Sequence, residues 1–199
     1  MFAAPYVDGN RPNYYSSLAL VTDAMIPIPT HLKDCVVPDD ATIDESPLAG
    51  TVRCRCGGET FDLMFPGQTH EWDKEVIPCT AEIDGRFFFL IRGVCKKCSK
   101  SHLLLDIDFH GWNGFVCHNA EQAAHPRPPL VAWKCVKCGG SAHTARIEVA
   151  GEGKEDFISE SDGEFDEDRW PDGFGWLTIN IKCAGCGHAP KTWVSCETM

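Results

Sequence analysis

The chain has 199 residues, 43% of them hydrophobic and 24% charged, which is ordinary globular composition with room for one large domain or two small ones. Twenty-nine acidic against 18 basic residues give a net charge of −11, which disfavours nucleic acid as a partner, because phosphate binding depends on clustered Lys and Arg. No run approaches the roughly 20 apolar residues of a membrane span. Met1 to Asn10 lack a basic segment followed by an apolar run, so the expected localisation is cytoplasmic, where thiols stay reduced.

Residues 1–50 carry six prolines (Pro5, Pro12, Pro27, Pro29, Pro38, Pro47) and an acidic patch of Asp39, Asp40, Asp44 and Glu45. Leu18, Val21, Thr22 and Met25 lie at helical spacing and predict a short helix within Tyr14 to Met25, stopped by Pro27. The stretch as a whole reads as an irregular N-terminal arm that packs on the rest of the chain.

From residue 51 the chain repeats itself. Cys54-Arg-Cys56-Gly57-Gly58, a β-like run and Cys95-Lys-Lys-Cys98 form a first unit, 51–126. Cys135-Val-Lys-Cys138-Gly139-Gly140, a second β-like run and Cys183-Ala-Gly-Cys186-Gly187 form a second unit, 127–199. Both have the order knuckle, strands, knuckle, strand, and the Cys-Gly-Gly tripeptide recurs at the same place, which argues for duplication.

Between the knuckles the period is two, the signature of a strand with one face buried. Phe61, Leu63 and Phe65 alternate with Asp62 and Met64, and Leu103, Leu105, Ile107 and Phe109 alternate with their neighbours. In the second unit the same holds for Ala145, Ile147 and Val149, and for Leu177, Ile179 and Ile181. Asp84-Gly85 marks a hairpin turn, and Pro171-Asp172-Gly173 a turn into the last long strand. No long amphipathic helix is expected after residue 50. The predicted fold is all-β: two tandem zinc-ribbon-like antiparallel units, joined near residue 127 by an extended Pro126-Arg127-Pro128-Pro129 spacer.

Twelve cysteines demand an account, and eight of them fall in four close pairs. Without an export signal, such pairs point to metal rather than to disulfides. Two cysteines separated by two residues can bend around one ion, and a glycine just after them admits the positive φ that the turn needs. Cys135, Cys138, Cys183 and Cys186 fit this pattern throughout, and Cys54, Cys56, Cys95 and Cys98 fit it with one residue fewer between the first pair. Four thiolates close a tetrahedral coordination sphere, so the expected cofactor is two structural Zn²⁺ ions, not a catalytic one with an open position.

A redox dithiol belongs singly in a βαβ setting, and a zinc deaminase needs motifs that His70-Glu71 and Pro78-Cys79 do not supply. Cys35, Cys79, Cys117 and Cys196 stand alone and read as buried thiols, with a third metal site the less favoured reading. The six tryptophans read as filling for thin cores, and no catalytic motif is present.

Three details resemble uncharacterised bacterial proteins with two zinc-ribbon-like units. They are Cys54-x-Cys56-Gly57 with Phe61 beyond it, Phe174-Gly-Trp176 ahead of Cys183-x-x-Cys186-Gly187, and the tail with Cys196-Glu197-Thr198. The resemblance implies a fold and two metal sites over residues 51–196, and supplies no reaction.

The acid-rich run 152–169 reads either as a solvated loop or as a docking surface. The expectation drawn from it is an acidic protein-interaction module for a basic protein partner, such as a toxin to be neutralised. The alternative is a nucleic-acid-binding or transcription-associated ribbon that uses Arg92, Lys96, Lys97 and Lys100.

Overall fold

The computed structural model describes residues 28–39, 48–112, 114, 126–151, 153–160 and 167–198. The helix expected within Tyr14 to Met25, Cys117, and most of the acidic patch lie outside them. The described chain is all-β, as expected, with thirteen strands, two 3-10 turns and one short helix.

Nine of the strands make one antiparallel sheet. Its centre is β3 (Phe61–Phe65) beside β11 (Ala142–Ala150). On one side lie β8 (Leu90–Cys95) and β9 (Ser101–Asp106), and on the other β12 (Trp176–Cys183) and β13 (Val194–Glu197).

The register makes the two halves equivalent. Phe61 opposes Cys95 across β3–β8, and His143 opposes Cys183 across β11–β12. Phe61 and His143 also oppose each other across β3–β11, so a pseudo-two-fold axis passes between them.

That axis exchanges the leading strands. β2 (Leu48–Val52), which precedes the first knuckle, pairs with β11 of the second half, while β10 (Val131–Ala132), which precedes the third, pairs with β3 of the first. Thr51 opposes Arg146 as Ala132 opposes Met64, and Gly50 opposes Ile147 as Val131 opposes Phe65. The same relation holds outside the strands: Lys96 N–H donates to Thr60 O and Ala184 N–H to Ala142 O, both at 2.9 Å. The two units therefore complete one sheet between them.

Core and boundaries result from this exchange. The inward positions of β3, β8, β11 and β12 join in one cluster containing Phe61, Leu63, Ile91, Ile147, Leu177 and Ile179. The boundary expected between 50 and 51 falls inside β2, whose other neighbour is β1 (Val36–Pro38) from the arm. The arm is thus part of the sheet edge, and its 3-10 turn Thr30–Leu32 buries Leu32 completely. The expected spacer is also tied down. Arg127 pairs with Asp106 and Asp108, and its guanidinium lies 4.6 Å from the centre of the Phe109 ring.

The alternation expected along 103–109 is corrected by a bulge. Between Ile91 and Arg92 the β8–β9 register shifts, so the buried alternate positions are His102 and Leu104 before the bulge and Leu105 after it, with Asp106 buried as well. The strand stops at Asp106, and Ile107 to Phe109 lie beyond it.

Two hairpins sit outside the sheet, β4 (Thr69–Trp72) with β5 (Glu75–Pro78), and β6 (Ala81–Ile83) with β7 (Arg86–Phe88). The second turns at Asp84-Gly85, with φ of 52° and 76°, as its residues predicted. Within the acidic run, Lys154–Glu160 forms helix α1. Phe157 buries there, edge-on to Trp112 at 5.5 Å, while Glu155 and Asp156 stay exposed.

Tryptophan fills the core as expected at Trp193, which is fully buried, and at Trp133, which packs edge-on against it at 5.6 Å. Trp72, at the tip of the β4–β5 hairpin, is instead 45% exposed.

Candidate metal centres

The four knuckles share one backbone design. In Cys95-x-x-Cys98, Cys135-x-x-Cys138 and Cys183-x-x-Cys186 the first cysteine's carbonyl accepts from the N–H four residues on, that of Ser99, Gly139 and Gly187. The first cysteine's N–H then donates to the carbonyl five residues on, that of Lys100, Gly140 and His188. In the shorter Cys54-x-Cys56 both bonds contract by one residue, to Gly57 N–H and Gly58 O, at 2.7 and 2.8 Å. The missing residue is therefore absorbed in the turn, and both sulfurs keep their aim. Each turn closes on a left-handed residue: Gly57, Ser99, Gly139 and Gly187 have φ of 77°, 59°, 72° and 73°. Three are glycines, which adopt that conformation without steric cost; Ser99 is not.

All eight cysteines named from the sequence gather as two groups: Cys54, Cys56, Cys95 and Cys98, and Cys135, Cys138, Cys183 and Cys186, with the sulfurs of each group all within 4.8 Å of one another. The shortest separations repeat across the pseudo-axis. Cys54 to Cys98 is 3.5 Å and Cys135 to Cys186 is 3.6 Å, while Cys56 to Cys95 and Cys138 to Cys183 are both 3.6 Å. A tetrahedral ion with sulfur at about 2.3 Å sets sulfur–sulfur edges of about 3.8 Å. A disulfide would need about 2.05 Å. The clusters thus have metal-site dimensions and can hold two ions.

Strand ends hold the inner ligands. Cys95 and Cys183 are the last residues of β8 and β12, and with Cys54 and Cys135 they are buried; Cys98, Cys138 and Cys186 sit exposed at the knuckle tips. The protonation pattern of the bare thiols suits a cation. The Cys186 N–H, directed at the Cys183 sulfur, lowers that thiol to about 7. Cys138 is held up at about 12 because the Cys186 and Cys183 sulfurs outweigh the Gly140 N–H, and Cys98 is held up at about 12 in the same way, its neighbouring sulfurs outweighing the Lys100 N–H. Four thiolates this close cannot all ionise unless a cation compensates them.

Bases surround the first centre. Arg53 pairs with Glu59, Arg55 with Asp34 and Lys96 with Asp62, while Lys97 Nζ donates to the Cys56 carbonyl at 2.8 Å. Its floor is Gly58, whose Cα hydrogen side faces Cys95 Sγ so closely that a Cβ there would lie 2.7 Å from the sulfur.

The lone cysteines behave as apolar residues. Cys35 and Cys196 are buried, and burial pushes their thiols up to about 11 and about 12. Cys79 is half-buried, its thiol raised by the same cause. Among the described residues they join no metal-binding group. No described helix is long and apolar enough to cross a membrane.

Sequence reading missed the cavity beside the second centre, which depends on the β4–β5 hairpin and on His143. The one available signal was that His143 stands five residues beyond Cys138 where Phe61 stands five beyond Cys56. Comparison of this chain with protein-family models, with curated proteins and with solved structures returned no match.

Proposed function

We propose that this protein is a zinc-stabilised protein-interaction module whose acidic surface engages a basic protein, in the manner of a factor that neutralises a toxin. The observation that carries this reading is the distribution of charge. The chain has a net charge of −11, and Glu155 and Asp156 stand exposed on a helix that Phe157 anchors to the core. Steering by such a surface raises association rates with cationic partners and repels phosphates.

Two of the four bases around the second knuckle support the same reading against the nucleic-acid alternative. Lys96 is engaged with Asp62 and Lys97 with the Cys56 carbonyl, so they are occupied within the fold. Both clusters close their coordination spheres with four sulfurs, which suits ions that hold the fold.

Two measurements test the proposal. Reversing Glu155 and Asp156 to Lys should abolish capture of the protein partner while leaving metal content unchanged. Titration with DNA and RNA at low salt should show no association; binding that tightens as salt falls and is lost on Lys96→Glu with Lys97→Glu would overturn the proposal in favour of a nucleic-acid reader.

A further inference from the structure

We propose that the second metal centre is an oxidation-sensitive switch: peroxide joins its cysteines into cross-knuckle disulfides and empties it, while the first centre keeps its ion. The two centres share ligands and backbone design, so the difference lies in what surrounds the sulfurs.

The pseudo-axis sets Cys95-Lys96-Lys97-Cys98 against Cys183-Ala184-Gly185-Cys186. In the first centre Lys97 belongs to the second knuckle, and its Nζ donates to the Cys56 carbonyl of the first knuckle at 2.8 Å. Its chain therefore spans the gap between the knuckles and ties them with or without an ion. Lys96 adds a bond from the same knuckle to Asp62 of β3, and the arm braces the other side through Asp34 and Arg55. The second centre has none of this. Ala184 and Gly185 carry no polar side chain, and among the described residues no side-chain hydrogen bond or ion pair joins the third knuckle to the fourth apart from the sulfur contacts. Gly185 lies beside the cluster uncovered: within 4 Å a Cβ there would meet only Cys183 Sγ at 3.8 Å and Cys138 Sγ at 3.9 Å.

Exposure follows the same pattern. The second centre presents an exposed cysteine from each knuckle, Cys138 and Cys186, whereas the first presents Cys98 alone, with Cys56 half-buried. A cavity of about 250 Å³, lined in part by Val136, Lys137 and His188, also borders the third and fourth knuckles. Cysteine oxidation follows thiolate character and access, and a metal-ligating cysteine is already a thiolate. Of two matched sets of thiolates, the second is the more accessible.

Each exposed sulfur there has a resolving partner. Cys138 lies 3.6 Å from the buried Cys183, and Cys186 lies 3.6 Å from the buried Cys135, so both contacts cross between knuckles. Closing to a disulfide asks about 0.8 Å of each sulfur. The Cys138 thiolate attacks one oxygen of hydrogen peroxide; the O–O bond breaks, hydroxide leaves and the sulfur becomes a sulfenic acid. The Cys183 thiolate attacks that sulfur, the S–S bond forms and a second hydroxide leaves. Two protons from solvent convert both hydroxides to water, and the two electrons lost by the sulfurs are those gained by peroxide. A second peroxide does the same for Cys186 and Cys135. The set then offers no thiolate to a cation, yet the disulfides hold the knuckles together in its place. Because Cys183 ends β12, the sheet keeps its anchor while the centre is empty. The inference rests on metal loading and is independent of the protein-partner reading.

Native mass spectrometry of the full chain during exposure to hydrogen peroxide, with peptide mapping, reads the outcome. The untreated protein should carry two ions. The second centre should lose its ion at least about fivefold faster than the first, the scale of one charge-assisted hydrogen bond discounted for exposure. When one ion is left, mapping should find Cys138–Cys183 and Cys135–Cys186 disulfides, with the four cysteines of the first centre still reduced. A thiol reductant with zinc should then restore the second ion. Gly185→Lys, at a position without positive φ, should slow loss from the second centre about fivefold, and Lys97→Gly should hasten loss from the first by the same factor. Should Lys97→Gly fail to fold, Gly185→Lys decides alone. An untreated protein without ions would sink the metal reading and the switch together. With two ions present at the start, the switch alone is overturned if both ions leave together or the first centre empties first. Sulfinic or sulfonic acids or within-knuckle disulfides in place of the cross-knuckle pairs would also overturn it, as would Gly185→Lys losing its ion as fast as the wild type.

Discussion

Gly58 and Gly140 occupy the same place in the Cys-Gly-Gly tripeptides of the two halves, yet they should respond to alanine differently. Neither has the positive φ of the glycine before it, so backbone strain plays no part in the contrast. A Cβ on Gly58 would stand 2.7 Å from Cys95 Sγ, 3.2 Å from Lys97 Cβ and 3.4 Å from Cys56 Sγ. A Cβ on Gly140 would meet Cys138 Sγ at 3.4 Å and Cys183 Sγ at 3.8 Å, both near ordinary contact. Relieving the Gly58 clash asks Cys95 Sγ to move by most of an ångström, while a metal site tolerates only about 0.2 Å in its bond lengths. Overpacking of this kind costs about 1–3 kcal/mol. That is about a 5- to 150-fold loss of affinity at the first centre, since 1.4 kcal/mol is a factor of ten. Gly140→Ala should change affinity at the second centre by less than about threefold, well under 1 kcal/mol. Native mass spectrometry during titration with a competing chelator measures both, as the chelator concentration at which the first ion leaves. If Gly140→Ala loses its ion as readily as Gly58→Ala, or if Gly58→Ala matches the wild type, the clash does not govern the site and the reasoning is refuted.

Three further outcomes are expected. Ser99→Gly should stabilise the loaded protein by up to about 1 kcal/mol, because Ser99 holds φ of 59° where the other knuckles have glycine; a lowered melting temperature would contradict this. Cys183→Ser should cost protection in both halves, because β11 bridges β2 and β3 to β12, and hydrogen exchange in β3 and β8 should rise together with that in β12. His31 and His110, whose rings stack at 3.6 Å, are lowered by burial to about 4 and about 3. Their unfolded forms take up protons near pH 6.5 that the folded forms refuse, so the pair's contribution to stability is full above about pH 6.5 and falls on acidification, by up to about 2.7 kcal/mol per pH unit for two protons. The ligand thiols add a proton uptake common to wild type and variant, so His110→Asn should lower the slope by up to about 1.4 kcal/mol per pH unit in denaturant titrations with zinc in excess, and an unchanged slope would show that His110 does not titrate on unfolding.

The metal centres were legible in the sequence because ligand spacing is local chemistry. A knuckle is closed by hydrogen bonds spanning three to five residues, so Cys135-x-x-Cys138-Gly139 carries its own geometry. The long strands were legible for a related reason: His143, Ala145, Ile147 and Val149 face one side by the pleat alone. Partner choice is non-local, and there sequence reading ran short. Nothing in Leu48 to Val52 says that they will pair with Arg146 to Val149 and not with strands of their own unit. The β4–β5 hairpin was missed because it turns at Asp73-Lys74, with φ of 48° and 67°, where no glycine signals it. The bulge at Ile91/Arg92 and the pinning of the spacer by Arg127 likewise depend on residues far away in sequence.

The exchanged leading strands also limit what the two halves could be on their own. A unit cut at residue 127 would keep β3 but lose β10 from its edge, and would keep β2 but lose β11, the strand β2 pairs with. It would expose the unpaired backbone of both, together with the inward faces of Leu63 and Phe65. A metal ion could still close each knuckle, because the ligand cysteines of each centre come from one half. Metal binding and folding are therefore separable in this architecture: a half-chain peptide should take up one ion yet show little protected sheet. Mixing the two half-chains, each loaded with metal, should restore β-sheet circular dichroism by re-forming the β2–β11 and β10–β3 pairs. Sheet content equal to that of the intact protein in either half alone would mean that the exchange is dispensable and that each ribbon folds by itself.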